Sequence, residues 1–287
     1  MSHKLSNTIC QTLLYSELFE YPLTKDELWK YLLTSQKVAK KDFEKLLKPV
    51  PFCMIAGERF FYLPKRKYVV KKRMDRKMRS YALLGRAKKI ARFLSFSPTV
   101  LMIGVSGSLA MENSNKDSDI DFFFITKDST LWITRLFVVV VLHILGIQRK
   151  RNDTSREGAI CTNMFLDETS LCLPSTKQNI YTAHEVVQLK PLINKNHTYE
   201  DFMQQNNWVK KYMVNSLDGI PFFSSILAKK PIRILCMIES FLRNLQMWYM
   251  RQHITTEIVG EHIAAFHPYD YEKIIINSFK KKQKNYV

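Results

Sequence analysis

"DIDFFFIT", residues 119–126, sets two carboxylates into an otherwise apolar run. Its aromatic and β-branched content predicts a strand, and side chains two apart on a strand share a face. Asp119 and Asp121 therefore project together. Two like charges on one face repel, and burying either without a partner is costly. Any fold that accepts this segment must bring the pair a counter-charge. No basic residue lies inside the strand; Lys116 and Lys127 flank it. A divalent cation is the natural partner. Mg2+ (or Mn2+) suits the pair, since it takes one or two carboxylates together with phosphate oxygens and water.

The preceding segment complements it. "TVLMIGVSG" (99–107) predicts another strand. Gly107 allows a ligand close to the backbone. Ser108 opens a short helix, "SLAMEN", where free N–H groups and a hydroxyl can meet phosphate. A phosphate cradle beside a metal pair is the equipment of phosphoryl transfer. A Ca2+ loop, the other common source of a "DSDID" pattern, needs a glycine after the acids and a distal glutamate, and does not run on into "FFFIT".

Strand, Gly-Ser, helix, turn and hydrophobic-flanked aspartates, in that order, resemble the nucleotidyltransferase superfamily that includes DNA polymerase beta. The resemblance covers residues 98–170. It implies that Gly107 and Ser108 hold the triphosphate of an NTP co-substrate and that Asp119 and Asp121 bind Mg2+ and are catalytic. It also implies a third carboxylate on the next core strand, as base or second-metal ligand. That strand, "AICTNMFLDE" (159–168), offers Thr162 and Asn163 in its middle and reaches Asp167 and Glu168 only at its end. Either Asp167 is the third catalytic carboxylate or the third ligand is missing. In the second case nucleotide binding would survive without turnover.

The positive charge is uneven. Of a formal +18, residues 64–92 supply thirteen Lys or Arg against the single acid Asp75. A stripe of Val70, Met74, Met78, Tyr81, Leu84, Ala87, Ala91 and Leu94 predicts one long helix here. Its basic faces are either a footprint for nucleic acid or solvated surface. Upstream, "NTICQTLLYSELFEY", "KDELWKYLL" with a capping box "TKDE", and "AKKDFEKLLK" predict three helices, and "FCMIAGERFFYLP" a hairpin. That order resembles a winged helix; a helical cap with a stabilising hairpin is the plainer alternative.

The expected architecture is α+β: a winged-helix-like unit at 1–64, a basic connecting helix at 65–97, a small mixed-sheet nucleotidyltransferase core at 98–175 and a helical region at 176–287 with a frayed tail. Five scattered cysteines without ligand spacing suit reduced thiols in a cytoplasm. No membrane span is expected, because "LWITRLFVVVVLHILGI" (131–147) is too short between its charges.

Several residues allow two readings. Glu112 and Asn113 face either nucleotide or solvent. Arg135 reaches the phosphates or pairs locally. The basic loop of Arg149, Lys150, Arg151 and Arg156 meets a polyanion or stays hydrated. His267 reads as a packed turn residue, and Trp208, Phe241, Trp248 and Tyr249 as core. Two functions follow. One is an Mg2+-dependent nucleotidyltransferase that moves a nucleoside monophosphate to an acceptor and releases pyrophosphate; the acceptor is a small molecule, a protein or an RNA end. The other is a nucleotide-binding regulator without turnover, contacting nucleic acid through residues 65–92 and the unit before them.

Overall fold

The computed structural model describes residues 2–55, 57–149, 157–221, 233–251, 258–265 and 271–286. The fold is mixed α+β. The first unit runs α1 (Ser2–Glu17), β1 (Leu23–Thr24), α2 (Lys25–Lys30), α3 (Lys40–Leu46), β2 (Phe52–Ile55) and β3 (Glu58–Phe61). Its strands form an antiparallel sheet in the order β1-β3-β2. The expected capping box is present: the Thr24 hydroxyl accepts from the Glu27 N–H, and the Glu27 carboxylate accepts from the Thr24 N–H.

Helix α4 (Tyr68–Leu94) leads into the main sheet. There follow β4 (Val100–Val105), α5 (Gly107–Ala110), β5 (Ile120–Thr126), α6 (Leu131–Ile144), β6 (Ile160–Asp167), α7 (Ile180–Gln188), β7 (Lys190–Asn194) and α8 (Thr198–Gln205). The chain closes with α9 (Arg233–Met250), β8 (Ile258–Val259), β9 (Ile263–Ala265) and α10 (Tyr271–Tyr286). The sheet order is β7-β4-β5-β6-β9-β8, with β5 and β6 parallel and the other neighbours antiparallel.

Both faces of this sheet are covered, which is why its central strands are apolar on both sides. Ile103, Val105, Phe122, Phe124 and Phe165 face one core, shared with α4, α6 and α9. Met102, Phe123, Ile125 and Leu166 face the other, shared with α7, α8 and the N-terminal unit. Residues 1–64 are therefore packed into the body of the molecule through a common core.

Three expectations are corrected. The C-terminal region is not only helical: β7, β8 and β9 return to extend the sheet on both edges. The tail continues as α10 to Tyr286 instead of fraying. The buried stripe of α4 runs through Val69, Val70, Arg73, Ser80, Leu83, Leu84, Ala87, Ala91 and Leu94, so Met78 and Tyr81 are exposed.

The basic helix is also less free than its composition suggests. Arg66 pairs with Glu17 at 3.0 Å, Lys72 and Arg76 with Glu20 at 2.6 and 2.8 Å, and Arg73 with Glu27 at 2.7 Å. Three cations of α4, with Arg66 just before it, thus clamp the helix onto the first unit. Of the aromatic residues read as core, Trp208 is buried, whereas Phe241, Trp248 and Tyr249 are 65–72% exposed on α9. Among the described residues no helix is long and apolar enough to cross a membrane, and all five thiols are free.

Candidate functional site

The register of β5 on β6 places Asp121 beside Cys161. Ligand atoms of Asp119, Asp121 and Cys161 all lie within 4.8 Å of one another. The strand-turn-strand geometry brings the Gly-Ser turn to the same place. Gly107 adopts φ +62°, and a Cβ added there would stand 3.3 Å from Asp121 Oδ2. The turn needs glycine both for its backbone and for its closeness to the carboxylate. The Ser106 N–H donates to the Asp121 carbonyl at 3.0 Å, tying turn to strand. Ser108 Oγ donates to Ser118 Oγ at 3.4 Å. Helix α5 is only four residues long, so its contribution is a few free amides, not a sizeable macrodipole.

Electrostatics mark the cluster as strained. Burial, then the charges of Asp119 and Glu185, hold the Asp121 carboxyl above the usual carboxylate range; the Cys161 thiol, donating to it, offsets part of this. Burial and the same two aspartates push the Cys161 thiol well up. Asp119 carries an ion pair with Arg149. That pair gives the basic loop one definite role; residues 150–156 lie outside the described residues.

These groups open onto a cavity of ≈ 660 Å³. One wall is the sheet, with Gly107, Ser108, Asp119, Asp121, Cys161 and Asn163. Facing it are Tyr15 and Tyr31 of the first unit and Tyr181, His184 and Glu185 of α7. The Tyr15 and His184 rings stack at 4.0 Å. Burial pushes the His184 imidazole down to about 3, keeping it neutral. Its Nε2 and the Tyr15 hydroxyl are buried polar atoms with no hydrogen-bond partner among the described residues, an arrangement that native structures rarely leave unused.

Asp167 does not join the pair. It lies opposite Thr126 at the far end of β6, about 20 Å of strand from Cys161. Thr126 belongs to the alternate face of β5 from Asp121, so Asp167 points away as well. Its oxygens are taken by the Ser129 and Thr169 N–H groups at 3.0 and 2.7 Å, the Thr169 hydroxyl at 2.5 Å and His262 at 3.3 Å. Asp167 is a structural carboxylate that closes the strand-end turns. Asp167→Asn should cost about 1–3 kcal/mol of stability, read from a urea transition.

The carboxylate that does approach is Glu185, 64 positions beyond Asp121 and on a helix. Burial pushes its carboxyl up to about 7, and its charge helps raise both Asp121 and Tyr181. The only sequence signal for it is one acid inside the apolar stretch "AHEVV". Cys161, which the register sets beside Asp121, carries no signal at all in the sequence alone.

The remaining residues separate. Glu112 pairs with Lys190 at 2.9 Å. Asn113 lines the cavity while donating to the Phe19 carbonyl at 3.1 Å. Arg135 is turned away into the α6–α9 packing, where it donates to Gln246 at 2.6 Å. His267 lies outside the described residues. No protein-family model, curated protein or solved structure matches the chain.

Proposed function

We propose that the protein is an Mg2+-dependent nucleotidyltransferase that transfers a nucleoside monophosphate from an NTP to a hydroxyl acceptor. The observation that carries this reading is a single open cavity with the Asp119–Asp121 pair and the Gly107–Ser108 turn on one wall. On this reading residues 98–170 are a nucleotidyltransferase core, and the helix-strand-helix-helix-strand-strand order of residues 1–64 is that of a winged helix.

The donor set fits the ion. Two carboxylates are the hard oxygen ligands Mg2+ prefers, while the thiol of Cys161 is held in its neutral form and is no ligand for a hard cation. Asp119 and Asp121 would hold the metal; bound there, it would polarise the phosphates and stabilise the departing pyrophosphate. The backbone at Gly107 and the Ser108 hydroxyl receive the triphosphate. The stacked Tyr15–His184 pair lines the opposite wall, where the nucleoside end lies on this reading. Glu185, poised at about 7, takes the acceptor proton in place of the strand carboxylate, since a general base works best with its pKa near the operating pH.

The alternative, a nucleotide-binding regulator without turnover, is favoured by the middle of β6, which offers Thr162 and Asn163 in place of an acid. Isothermal titration with a non-hydrolysable ATP analogue tests what both readings share. Binding should require Mg2+ or Mn2+, and Gly107→Ala should weaken it at least about tenfold, since its Cβ crowds Asp121 and its φ is strained. Metal-independent binding, or none with any nucleotide, overturns the reading. Pyrophosphate release then separates the transferase from the regulator.

A further inference from the structure

A second cavity, of ≈ 340 Å³, lies behind the first. Asn163, Tyr181, Glu185 and Tyr271 border both. The two therefore meet at a wall that contains the carboxylate assigned above as proton acceptor. Their chemistry differs sharply. The first is lined by charges and hydrogen-bonding groups around the aspartate pair. The second is lined mainly by Phe123, Leu173, Val186, Leu189, Phe202 and Ile263.

Its charged groups are Glu185, Lys177, Glu272 and Lys273. Glu185 is at the shared wall. Lys177 and Glu272 are bonded to each other at 3.0 Å, and Asn179 donates to the same Glu272 at 2.8 Å. Glu272 is thus already satisfied by two partners, and the Lys177 charge is already compensated. The rest of the lining offers an occupant chiefly apolar contact, with Ser106, Asn163 and Thr182 as its neutral polar groups. A sugar or a polyhydroxylated ring would lose hydrogen bonds on entering it, at a cost of about 1–3 kcal/mol for each polar group left unpaired. A nucleic-acid end brings a charged backbone that such walls reject. The volume is at the small end of the ~300–1,000 Å³ range of small-molecule sites.

We propose that this cavity is the acceptor site, and that the acceptor is a small, largely apolar molecule bearing a hydroxyl at one end, an alkyl or aryl alcohol, placed with its apolar body in the cavity and its hydroxyl at Glu185. The proposal rests on the nucleotidyltransferase reading and specifies its missing substrate class. The acceptor oxygen attacks the α-phosphorus of the NTP. The new O–P bond forms as the bond from that phosphorus to the bridging oxygen breaks, and pyrophosphate leaves with that electron pair. The hydroxyl proton passes to the Glu185 carboxylate. The product is the nucleoside monophosphate diester of the alcohol. Apolar walls keep bulk water from competing as acceptor, which a hydroxyl-transfer site requires.

The test uses the full chain and 2-naphthylmethanol, a fluorescent primary aryl alcohol, followed by its emission, with the Mg2+–nucleotide analogue titrated separately. The unmodified protein should bind the alcohol saturably. Thr182→Trp on α7 and Ile263→Trp on β9, both at half-buried positions of the cavity wall, should each weaken alcohol binding at least tenfold. Analogue affinity should stay within threefold, which also shows that the variants are folded. Glu185→Gln should retain alcohol binding while losing alcohol-stimulated pyrophosphate release from ATP. Absence of alcohol binding, or alcohol binding indifferent to both tryptophans while analogue binding is intact, overturns the acceptor site and leaves the nucleotide reading standing. Alcohol binding without any Mg2+–nucleotide binding sinks the transferase reading, and the acceptor role with it.

Discussion

Asp119→Asn/Asp121→Asn should lower pyrophosphate release by at least about 10²–10³-fold, the usual cost of removing one preorganised electrostatic stabiliser. The same change should make the metal-free protein more stable at pH 8. The two effects share a cause. Asp121 and Glu185 are carboxyls whose pKa is raised in the folded state, chiefly by burial. Such a group binds a proton in the folded protein at a pH where the unfolded chain has already released it. Its stabilising contribution is complete below the unfolded value near 4 and is lost as pH rises through the folded one, about 7 for Glu185.

Each group therefore tilts stability downward with rising pH by at most about 1.4 kcal/mol per unit in that window. His184 tilts it the other way. Its folded value is depressed to about 3, so its contribution is present above the unfolded value of ~6.5 and is lost as pH falls towards 3. With two carboxyls against one imidazole, thermal melts of metal-free protein should show a net loss of stability from pH 5 to 8. Asp121→Asn should recover about 1–2 kcal/mol of it at pH 8, allowing for its partial exposure. Saturating Mg2+ should stabilise the unmodified protein by mass action and leave the variant unmoved. A variant equally responsive to Mg2+ would place the ion elsewhere.

Arg73→Ala should cost about 3–5 kcal/mol, the expected loss when one partner of a buried ion pair is removed. Arg73 is 6% exposed. It donates to both Glu27 oxygens, at 2.7 and 2.8 Å, and to the Pro22 carbonyl, and its guanidinium lies over the Tyr21 ring at 4.1 Å. Glu27 in turn caps α2 and accepts the Tyr21 hydroxyl at 2.5 Å. Truncating Arg73 strands that carboxylate. Arg73→Met/Glu27→Leu, which removes both charges, should recover much of the loss. A urea midpoint series on the two single variants and the double variant reads the coupling directly. Additive losses would reduce the pair to two unrelated contacts.

Arg73 also shows where sequence reading stopped. The composition of residues 64–92 is that of a polyanion footprint, and a charge count cannot tell a solvated cation from one turned inward onto an acid 46 positions earlier. By contrast Asp119, Asp121 and Gly107 were legible, because strand periodicity and a glycine-dependent turn are local properties. The strands β4, β5 and β6 and helix α4 were legible for the same reason. Cys161 and Glu185 were not: one depends on the parallel register of β5 with β6, the other on how α7 docks. Strands β8 and β9, of two and three residues, are too short to carry a period. Phe241, Trp248 and Tyr249 fell at helical spacings that promised burial, and no local rule says that the face they form is the outer one.

Tyr15 and Tyr31 complete the cavity wall opposite the aspartates, and both belong to the N-terminal unit. Binding and docking of that unit are then one thermodynamic cycle. On the proposed reading, a nucleotide that touches Tyr15 would tighten the hold of the first unit on the sheet by the same factor that the docked unit tightens the nucleotide. Whatever grips the outer surface of that unit and shifts its seat is therefore, without any direct contact, an effector of the aspartate site. An isolated sheet, cut free at residue 97, would report an affinity that belongs to a different molecule.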